Sequence, residues 1–220
     1  MKKILIAAIA LLPMVSYAQS EWELPTQKQQ QEEVKVAENK KIAETYKPDL
    51  SPYLAGAVPE VDGKIVFTRD IDLSGMTAQQ IYDGAYQYLD TLTQGSRQKP
   101  NGESHIALVN KKEHSIIAVC SEWMEFKHNV ITLDRSEFRY VMIVNCKDGH
   151  LNATVGRINY LYDEGRATEL KITAEDWISD RNALNKKKNK LVKLSAKFRI
   201  GTIERVKQIF GDLEKALKKA

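Results

Sequence analysis

The sequence predicts an α+β domain in which one antiparallel sheet and its helices follow the order β-α-β-β-β-β-α, with a helical extension at the carboxyl end. Three observations support this prediction. Runs rich in β-branched residues recur between residues 64 and 162, short turns of the antiparallel kind join most of them, and two amphipathic segments begin with capping residues. With 220 residues, of which 43% are hydrophobic, the chain can form one domain with a substantial core.

The first strand leads directly into the first helix. Lys64 to Leu73 is rich in β-branched residues and lies between two Gly-containing turn pairs. Thr77 and Gln80 form the pattern of a capping box, in which a hydroxyl and an amide satisfy free backbone groups at a helix start. Apolar residues then recur at helical spacing up to Gly95, namely Ile81, Ala85, Tyr88, Leu89 and Leu92.

Further strands are expected after this helix. They are His105 to Asn110, Ser115 to Phe126, Arg139 to Cys146 and Leu151 to Tyr162. A short additional strand at Val130 to Leu133 is an alternative that the pattern does not decide. Their connections resemble hairpins, which favours antiparallel pairing.

The turn at Asp148-Gly149 predicts the register of the last hairpin, because a two-residue turn needs positive φ, which these residue types adopt with little strain. The facing pairs are then Cys146 with Leu151, Val144 with Ala153 and Met142 with Val155, all apolar or small. A slip of one residue would reverse every side chain. The opposite face is expected to carry Val141, Ile143, Asn145, Asn152, Thr154, Ile158, Tyr160 and Tyr162.

The carboxyl-terminal part, residues 172–220, is predicted to form basic amphipathic helices that pack on the domain or extend it. Thr173 caps a helix that extends to Leu184. Apolar residues at three-and-four spacing then continue from Leu191 to Leu217, interrupted only near Gly201.

The chain begins like an exported protein. Residues 1–18 show two lysines, an apolar run, and small residues before a cleavage site between Ala18 and Gln19, which is typical of a signal peptide. The apolar run is shorter than the ~20 residues that span a bilayer. We therefore expect export to the periplasm or secretion, with no transmembrane segment after signal removal.

A tether is expected between the signal peptide and the domain. Residues 19–58 are rich in Gln, Lys and Glu and have few aliphatic residues, so they cannot bury enough surface to offset the entropy of ordering. The antiparallel α+β domain is then expected to occupy 59–171.

Four segments together resemble a particular family: 54–73 (LAGAVPEVDGKIVFTRDIDL), 77–92, 107–113 (ALVNKKE) and 185–199. They are similar to a domain-of-unknown-function family, the 4468 type, of exported proteins from Gram-negative gut anaerobes. The resemblance implies a curved antiparallel sheet backed by helices, the TATA-binding-protein-like fold. It implies no activity, cofactor or site residues, and a shared fold does not determine function.

The histidines offer no pair at metal-binding spacing. His114 and the segment Asp148 to His150 are expected at the same end of the sheet, where they could form a small site with Glu113. Surface histidines beside a turn are the simpler interpretation. Nucleophile-elbow and phosphate-loop motifs are also absent from the sequence, so it predicts no catalytic, cofactor-binding or metal-binding residue.

Four acidic residues, Glu122, Glu125, Asp134 and Glu137, could form a carboxylate pair near the sheet edge. Paired acids hydrolyse glycosidic bonds when they are about 5 to 9 Å apart. No pattern fixes that distance here, and acids beside strands are usually solvated. A hydrolase of envelope glycans or peptides, acting through Glu122, Glu125, Asp134 or the edge with His114 and His150, is therefore an alternative hypothesis.

The two cysteines are predicted to be free and buried. If the strands containing them turn near residues 131 and 132, Cys146 lies opposite Ile117, and Cys120 is three residues further along on the other face. At ~3.3 Å per residue this offset is about 10 Å, beyond the ~7 Å limit for a disulfide. A β-bulge would reset this register.

A basic segment follows the sheet, although the whole chain is only mildly basic at +4. It contains Lys186, Lys187, Lys188, Lys190, Lys193, Lys197 and Arg199 and no acid. Such a helix could bind the phosphates of lipopolysaccharide or nucleic acid, or an acidic protein, and solvated lysines are the alternative. These residues, with Tyr160 and Tyr162 on the second sheet face, are the candidate binding residues.

The leading hypothesis is a non-enzymatic binding or interaction module of the cell envelope that needs no cofactor. Its expected partner is an envelope protein or an anionic glycan such as lipopolysaccharide. Nucleic acid is disfavoured because an exported protein rarely meets it, although an anion or nucleic-acid binder remains a further alternative.

Overall fold

The computed structural model describes residues 49–128 and 133–219. Its strands are β1 (Glu60–Val61), β2 (Lys64–Asp72), β3 (His105–Asn110), β4 (Ser115–His128), β5 (Leu133–Lys147), β6 (His150–Tyr162) and β7 (Leu170–Thr173). Its helices are α1 (Ala78–Gln94), α2 (Ala174–Trp177), α3 (Asp180–Ala183) and α4 (Lys193–Lys219), and a single 3-10 turn precedes β1 at Ser51–Tyr53.

All seven strands belong to one antiparallel sheet, in the order β1-β2-β6-β5-β4-β3, with β7 pairing to the second half of β6. The core lies between this sheet and the two long helices, α1 and α4, which contribute Ile81, Leu89 and Val206 to it. The α+β class and antiparallel sheet that the sequence predicts are confirmed.

For β2, β3 and α1, the bounds predicted from the sequence lie within one residue of the observed bounds. The Thr77 side chain accepts a hydrogen bond from the Gln80 backbone, and the Gln80 side chain accepts one from the Thr77 backbone. The expected capping box is therefore present. Strand β7 was not predicted.

The register of the β5–β6 hairpin is confirmed only near its turn. Cys146 faces Leu151 and Met142 faces Val155, as the Asp148-Gly149 turn predicts. Between Arg139 and Val141, however, the pairing shifts by a β-bulge, so one residue of β5 lies opposite two of β6. Beyond the bulge the even-numbered residues of β6 face the core.

This bulge corrects the prediction that Ile158 and Tyr160 share a face with Ile143. Both side chains are buried in the core, and only 2% of Tyr160 is exposed. Arg157, the extra residue at the bulge, has a positive φ of 52°. Local backbone geometry thus moves Tyr160 away from the proposed binding face.

The predicted register of β4 and β5 is wrong, although both cysteines are free and buried as expected. The Cys146 amide donates to the His114 carbonyl, and Cys120 lies opposite Tyr140. Both thiols therefore lie on the helix side, six positions apart, or about 20 Å. A second bulge, between Glu125 and Lys127, is part of the reason; residues 129–132, which include most of the suggested short strand, lie outside the described residues.

The carboxyl-terminal helices differ from the prediction in two places. The helix expected from Thr173 to Leu184 is two one-turn helices, α2 and α3. The expected interruption at Gly201 is absent, because α4 runs through it without a break. A Cβ at Gly201 would lie 2.8 Å from the Met124 sulfur, so this glycine allows α4 to approach β4 closely.

The folded region begins ten residues before the predicted boundary at residue 59. Val58 is buried, Tyr53 and Ala57 pack against the core, and Gly56 donates its amide to Asp180 at 2.8 Å. Residues 49–58 therefore fold on the domain, whereas the predicted signal peptide and the rest of the tether, up to residue 48, lie outside the described residues. None of the described helices has the length and apolar character that crossing a bilayer requires.

Candidate functional site: the open face of the sheet

The side of the sheet opposite α1 and α4 carries a band of aliphatic side chains that is interrupted only at β6, by Gly156 and Thr154. The strand register aligns Val66, Gly156, Val141 and Val119 in one row, and Thr68, Thr154, Ile143, Ile117 and Leu108 in the next. The alternate residues of the same strands are buried under the two helices. We call this side the open face, and its side chains Val66, Ile117, Val119, Val141, Ile143 and Leu108 the apolar band.

Polar rows border the apolar band on both sides. One row aligns Asp70, Asn152, Asn145 and Ser115 across β2, β6, β5 and β4. The other aligns Asn159, Arg139 and Ser121. In the first row the Asn152 amide donates to the Asp70 carboxylate at 2.8 Å. The open face is thus an apolar strip with hydrogen-bonding margins.

A cavity of about 540 Å³ lies over the part of the open face that β2, β6 and β5 form. Val66, Val141 and Ile143 line it, together with the charged residues Lys64, Arg157 and Glu175. Both cations are exposed and have no ion-pair partner among the described residues. Leu108, at the far end of the band, is 65% exposed.

The sequence prediction found part of this surface and missed part of it. Ile143 and Val141 were expected on the second sheet face, whereas Val66, Ile117, Val119 and Leu108 were not singled out. A signal for two of them exists in Ser115–Cys120, where consecutive apolar residues place apolar side chains on both faces of β4.

Glu122 lies on the helix side of β4 and is almost fully buried. Its carboxylate accepts hydrogen bonds from the Tyr140 hydroxyl at 2.6 Å and from two nitrogens of Arg205 at 2.6 and 2.9 Å. Gln98 donates a further bond at 3.2 Å. A cavity of about 430 Å³ borders this group, but the ion pair already uses both carboxylate oxygens to join α4 to the sheet.

Glu137 is fully buried on the opposite side of the sheet from Glu122. It accepts hydrogen bonds from Lys99 at 2.8 Å, from the Ser121 hydroxyl at 2.6 Å, and from Arg139. Burial alone would raise the pKa of this carboxyl, but the bonds from Arg139, Lys99 and Ser121 outweigh it and lower the pKa below its usual value. Glu137 is therefore a buried structural anion.

The four acids do not converge on one face of the sheet. Glu122 and Glu137 lie on opposite faces of the sheet, while Asp134 accepts hydrogen bonds from Lys197 at 2.8 and 2.9 Å and from Tyr162 at 2.9 Å. Glu125 is exposed and paired to Arg135 in the strand register. Glu122, Glu137 and Asp134 are thus each bound to ion-pair and hydrogen-bond partners of their own.

The histidine edge does come together, around an open cavity of about 700 Å³ that Glu113, His114, Asp148 and His150 line. Two of the polar groups there have partners: the Asp148 carboxylate accepts from the Ala78 amide at 2.7 Å, and His114 lies 3.2 Å from the Gln79 side-chain oxygen. Within residues 49–128 and 133–219, no group of three His, Cys, Asp or Glu is placed to hold a metal.

The basic segment is not one continuous helical surface. Lys186, Lys187, Lys188 and Lys190 lie in a loop before α4, and only Lys193, Lys197 and Arg199 lie on the helix. Lys197 is bound to Asp134, with Tyr162 3.0 Å from its ammonium. This arrangement leaves Lys186, Lys187, Lys188, Lys190 and Lys193 as the exposed cations.

Three candidate binding residues are therefore corrected. Arg199 is 0% exposed and donates to the carbonyls of Tyr53, Leu54 and Ile178 and to Asp180, so it is structural. Tyr160 is in the core, with its hydroxyl 2.6 Å from the Thr202 hydroxyl. Tyr162 packs against Phe198 of α4 and lies on the helix side of the sheet.

Comparison with known proteins identifies a family and two solved relatives. A family model described as "Domain of unknown function (DUF4468) with TBP-like fold" matches residues 67–161. A crystal structure of a DUF4468 family protein from Bacteroides ovatus is 36% identical, covers 78% of this chain and 96% of its own, and has a TM-score of 0.72.

A more distant solved structure shows the same fold. This TBP-like protein from Parabacteroides distasonis is 19% identical, with coverage of 74% of this chain and 98% of its own and a TM-score of 0.60. No curated protein matches the chain.

Proposed function

We propose that this chain, which belongs to the DUF4468 family and has its TBP-like fold, is a non-enzymatic, exported binding module of the cell envelope, and that its open face binds a partner protein. The observation that supports this proposal most directly is the apolar band. Aliphatic side chains aligned over β2, β5, β4 and β3, with both long helices on the other side, form an apolar patch of the kind that marks interaction sites.

The chemistry of the open face favours a protein ligand. Sugar rings and nucleobases stack on aromatic side chains, whereas the centre of this face is made of Val, Ile, Leu and Thr. The charged residues on the described part of the face are of both signs, since Asp70 and Glu175 accompany Lys64 and Arg157, so the face is not a basic groove for a phosphate backbone. An apolar strip with hydrogen-bonding margins matches the apolar stripe and polar flanks of an amphipathic helix.

The dimensions of the band fit such a helix. The rows cross five strands, which at ~4.8 Å spacing makes the band about 20 Å long. A helix of about 13 residues has this length. Lys64 and Arg157, at one margin, would favour an acidic flank on that helix.

Site-directed crosslinking tests the proposal in the organism that makes the protein. A photoreactive residue at Val119, on the open face, is compared with one at Tyr86, which is 41% exposed on α1. We expect one protein species to be captured from Val119 and not from Tyr86. A purified pair of chain and captured protein should then bind at least about tenfold more weakly when the band carries Ile143→Glu.

Two outcomes would contradict the proposal. Equal capture from both positions would show that the open face has no special role. Unchanged affinity of a folded Ile143→Glu variant, verified by circular dichroism and thermal unfolding, would place the binding site elsewhere. Capture of a second copy of this chain would show that the face is a self-association surface. It would also contradict the proposal that the face binds a different protein.

A further inference from the structure

A second surface, independent of the open face, lies in the loop before α4. The Asn185 amide donates to the Lys190 carbonyl at 3.0 Å, and the Asn185 side-chain oxygen accepts from the amides of Asn189 and Lys190 at 3.0 and 3.2 Å. An isolated β-bridge between Leu184 and Leu191 closes the base of the loop. The loop is therefore a defined structure rather than an open chain.

The loop concentrates unpaired positive charge. Its exposed lysines are Lys186, Lys187, Lys188 and Lys190, and Lys193 follows at the start of α4. None of them forms an ion pair with another described residue. Because the chain contains no acid between Asp180 and Glu204, no local carboxylate neutralises this charge.

Exposed aliphatic side chains lie directly beside these lysines. Leu194 is 72% exposed, the largest value among the described large hydrophobic residues, and Val192 is 37% exposed. The two residues flank Lys193 in the chain. A soluble polyanion would use the lysines alone, whereas a lipid surface uses both charge and apolar contact.

We propose that this surface, residues 186–194, docks the protein on an anionic phospholipid bilayer. The lysines contact lipid phosphates, and Leu194 and Val192 enter the boundary between headgroups and acyl chains. The amino-terminal end of α4, with its free backbone amides, faces the same negative charge favourably. Docking of this kind is peripheral and reversible. Its affinity decreases with salt because the lysines contribute to the binding free energy by electrostatic attraction.

Vesicle co-sedimentation tests the charge requirement. The protein, purified as the cell processes it, is mixed with vesicles of phosphatidylcholine alone or with added phosphatidylglycerol. We expect binding only to the anionic vesicles, weakened by about tenfold or more in Lys187→Gln/Lys188→Gln. The control Lys111→Gln/Lys112→Gln removes the same charge from the exposed β3–β4 turn and should bind like the unmodified protein.

A second pair of variants distinguishes a bilayer from a soluble polyanion. Leu194→Ser should weaken vesicle binding several-fold and leave binding to polyphosphate unchanged, whereas Leu170→Ser, on β7, should change neither. The proposal is overturned if Leu194→Ser binds vesicles normally, if both lysine pairs have equal effects, or if neutral vesicles bind as well as anionic ones. Thermal unfolding of each variant verifies that it is folded.

Discussion

Glu137 is ionised although no part of its side chain is exposed. Its folded pKa is lowered, so the charged form stabilises the protein above the unfolded pKa of about 4.3 and this contribution is lost as the pH falls through the folded pKa. We expect the free energy of unfolding to decrease with acidification below about pH 4.5, and Glu137→Gln to remove part of that decrease.

Urea unfolding at pH 7 and at low pH measures this effect. At pH 7, Glu137→Gln should also lower the unfolding free energy by about 2 kcal/mol or more, because Lys99 and Arg139 lose a buried anionic partner. Glu113→Gln, at an exposed position, serves as the control. An identical pH dependence in Glu137→Gln and the unmodified protein would contradict the assignment.

Cys120 and Cys146 show the opposite effect of burial, since it raises the pKa of both thiols to about 12. Because the thiolate is the reactive form, neither should react with a thiol reagent in the folded protein at pH 8. Both should react in denaturant without a reductant. A titration that finds no thiol in the unfolded monomer would indicate a disulfide and contradict the structure.

At the scale of elements, the bulge at Arg157 decides which β6 residues face the core. Regular pairing that kept Arg157 in the ladder would turn Ile158 and Tyr160 outward, so the bulge depends on the positive φ of Arg157. We expect Arg157→Val, a β-branched residue that a positive φ disfavours, to lower the unfolding free energy by about 1 to 2 kcal/mol. Chemical denaturation measures the loss, and Arg157→Gly, which keeps the bulge and suits its positive φ, should retain stability. Equal stability of the two variants would refute this role of the backbone at the bulge.

The same bulge shows where the sequence stops predicting the fold. The Thr77 capping box and the Asp148-Gly149 turn are specified by neighbouring residues, so their local patterns are sufficient. The bulge at Arg157 depends on pairing with β5, and the continuity of α4 through Gly201 depends on its contact with Met124. Both partners are distant in sequence. A count of alternating residues therefore fails beyond the first few pairs of a hairpin.

The candidate site follows the same division. Apolar residues on both faces of β4 and β5 are visible in the sequence, but which face stays open depends on where α1 and α4 pack. Both helices pack on the same side of the sheet. Tertiary contacts determine that side, and no local sequence pattern predicts it. Likewise, the run of lysines is visible in the sequence. The sequence does not show that Lys197 forms an ion pair with Asp134 or that Arg199 is buried in the core.

At the scale of the whole molecule, Arg199 joins segments from both ends of the folded region. It binds two carbonyls of the segment before β1, one after α2, and Asp180. Arg199→Leu should lower the unfolding free energy by about 3 kcal/mol or more, because it leaves these acceptors without their donor. Arg199→Lys keeps the charge with fewer bonds and should lose less.

Thermal and urea unfolding of both variants measure the difference, and limited proteolysis before β1 reports the local effect. Cleavage between Tyr53 and Ala57 should accelerate in Arg199→Leu before the sheet unfolds. Unchanged stability and an unchanged cleavage rate would show that apolar packing of Tyr53 and Val58 alone holds this segment.

The position of Arg199 also determines how the domain would respond to mechanical load. A pulling force applied to the chain at residue 49 reaches the hydrogen bonds of Tyr53 and Leu54 to Arg199 before it reaches β2. Tension is thereby transferred to the long helix α4. The first stretch of chain to extend would be residues 49–59, before β1, so the domain would lengthen slightly under force while its sheet stays paired.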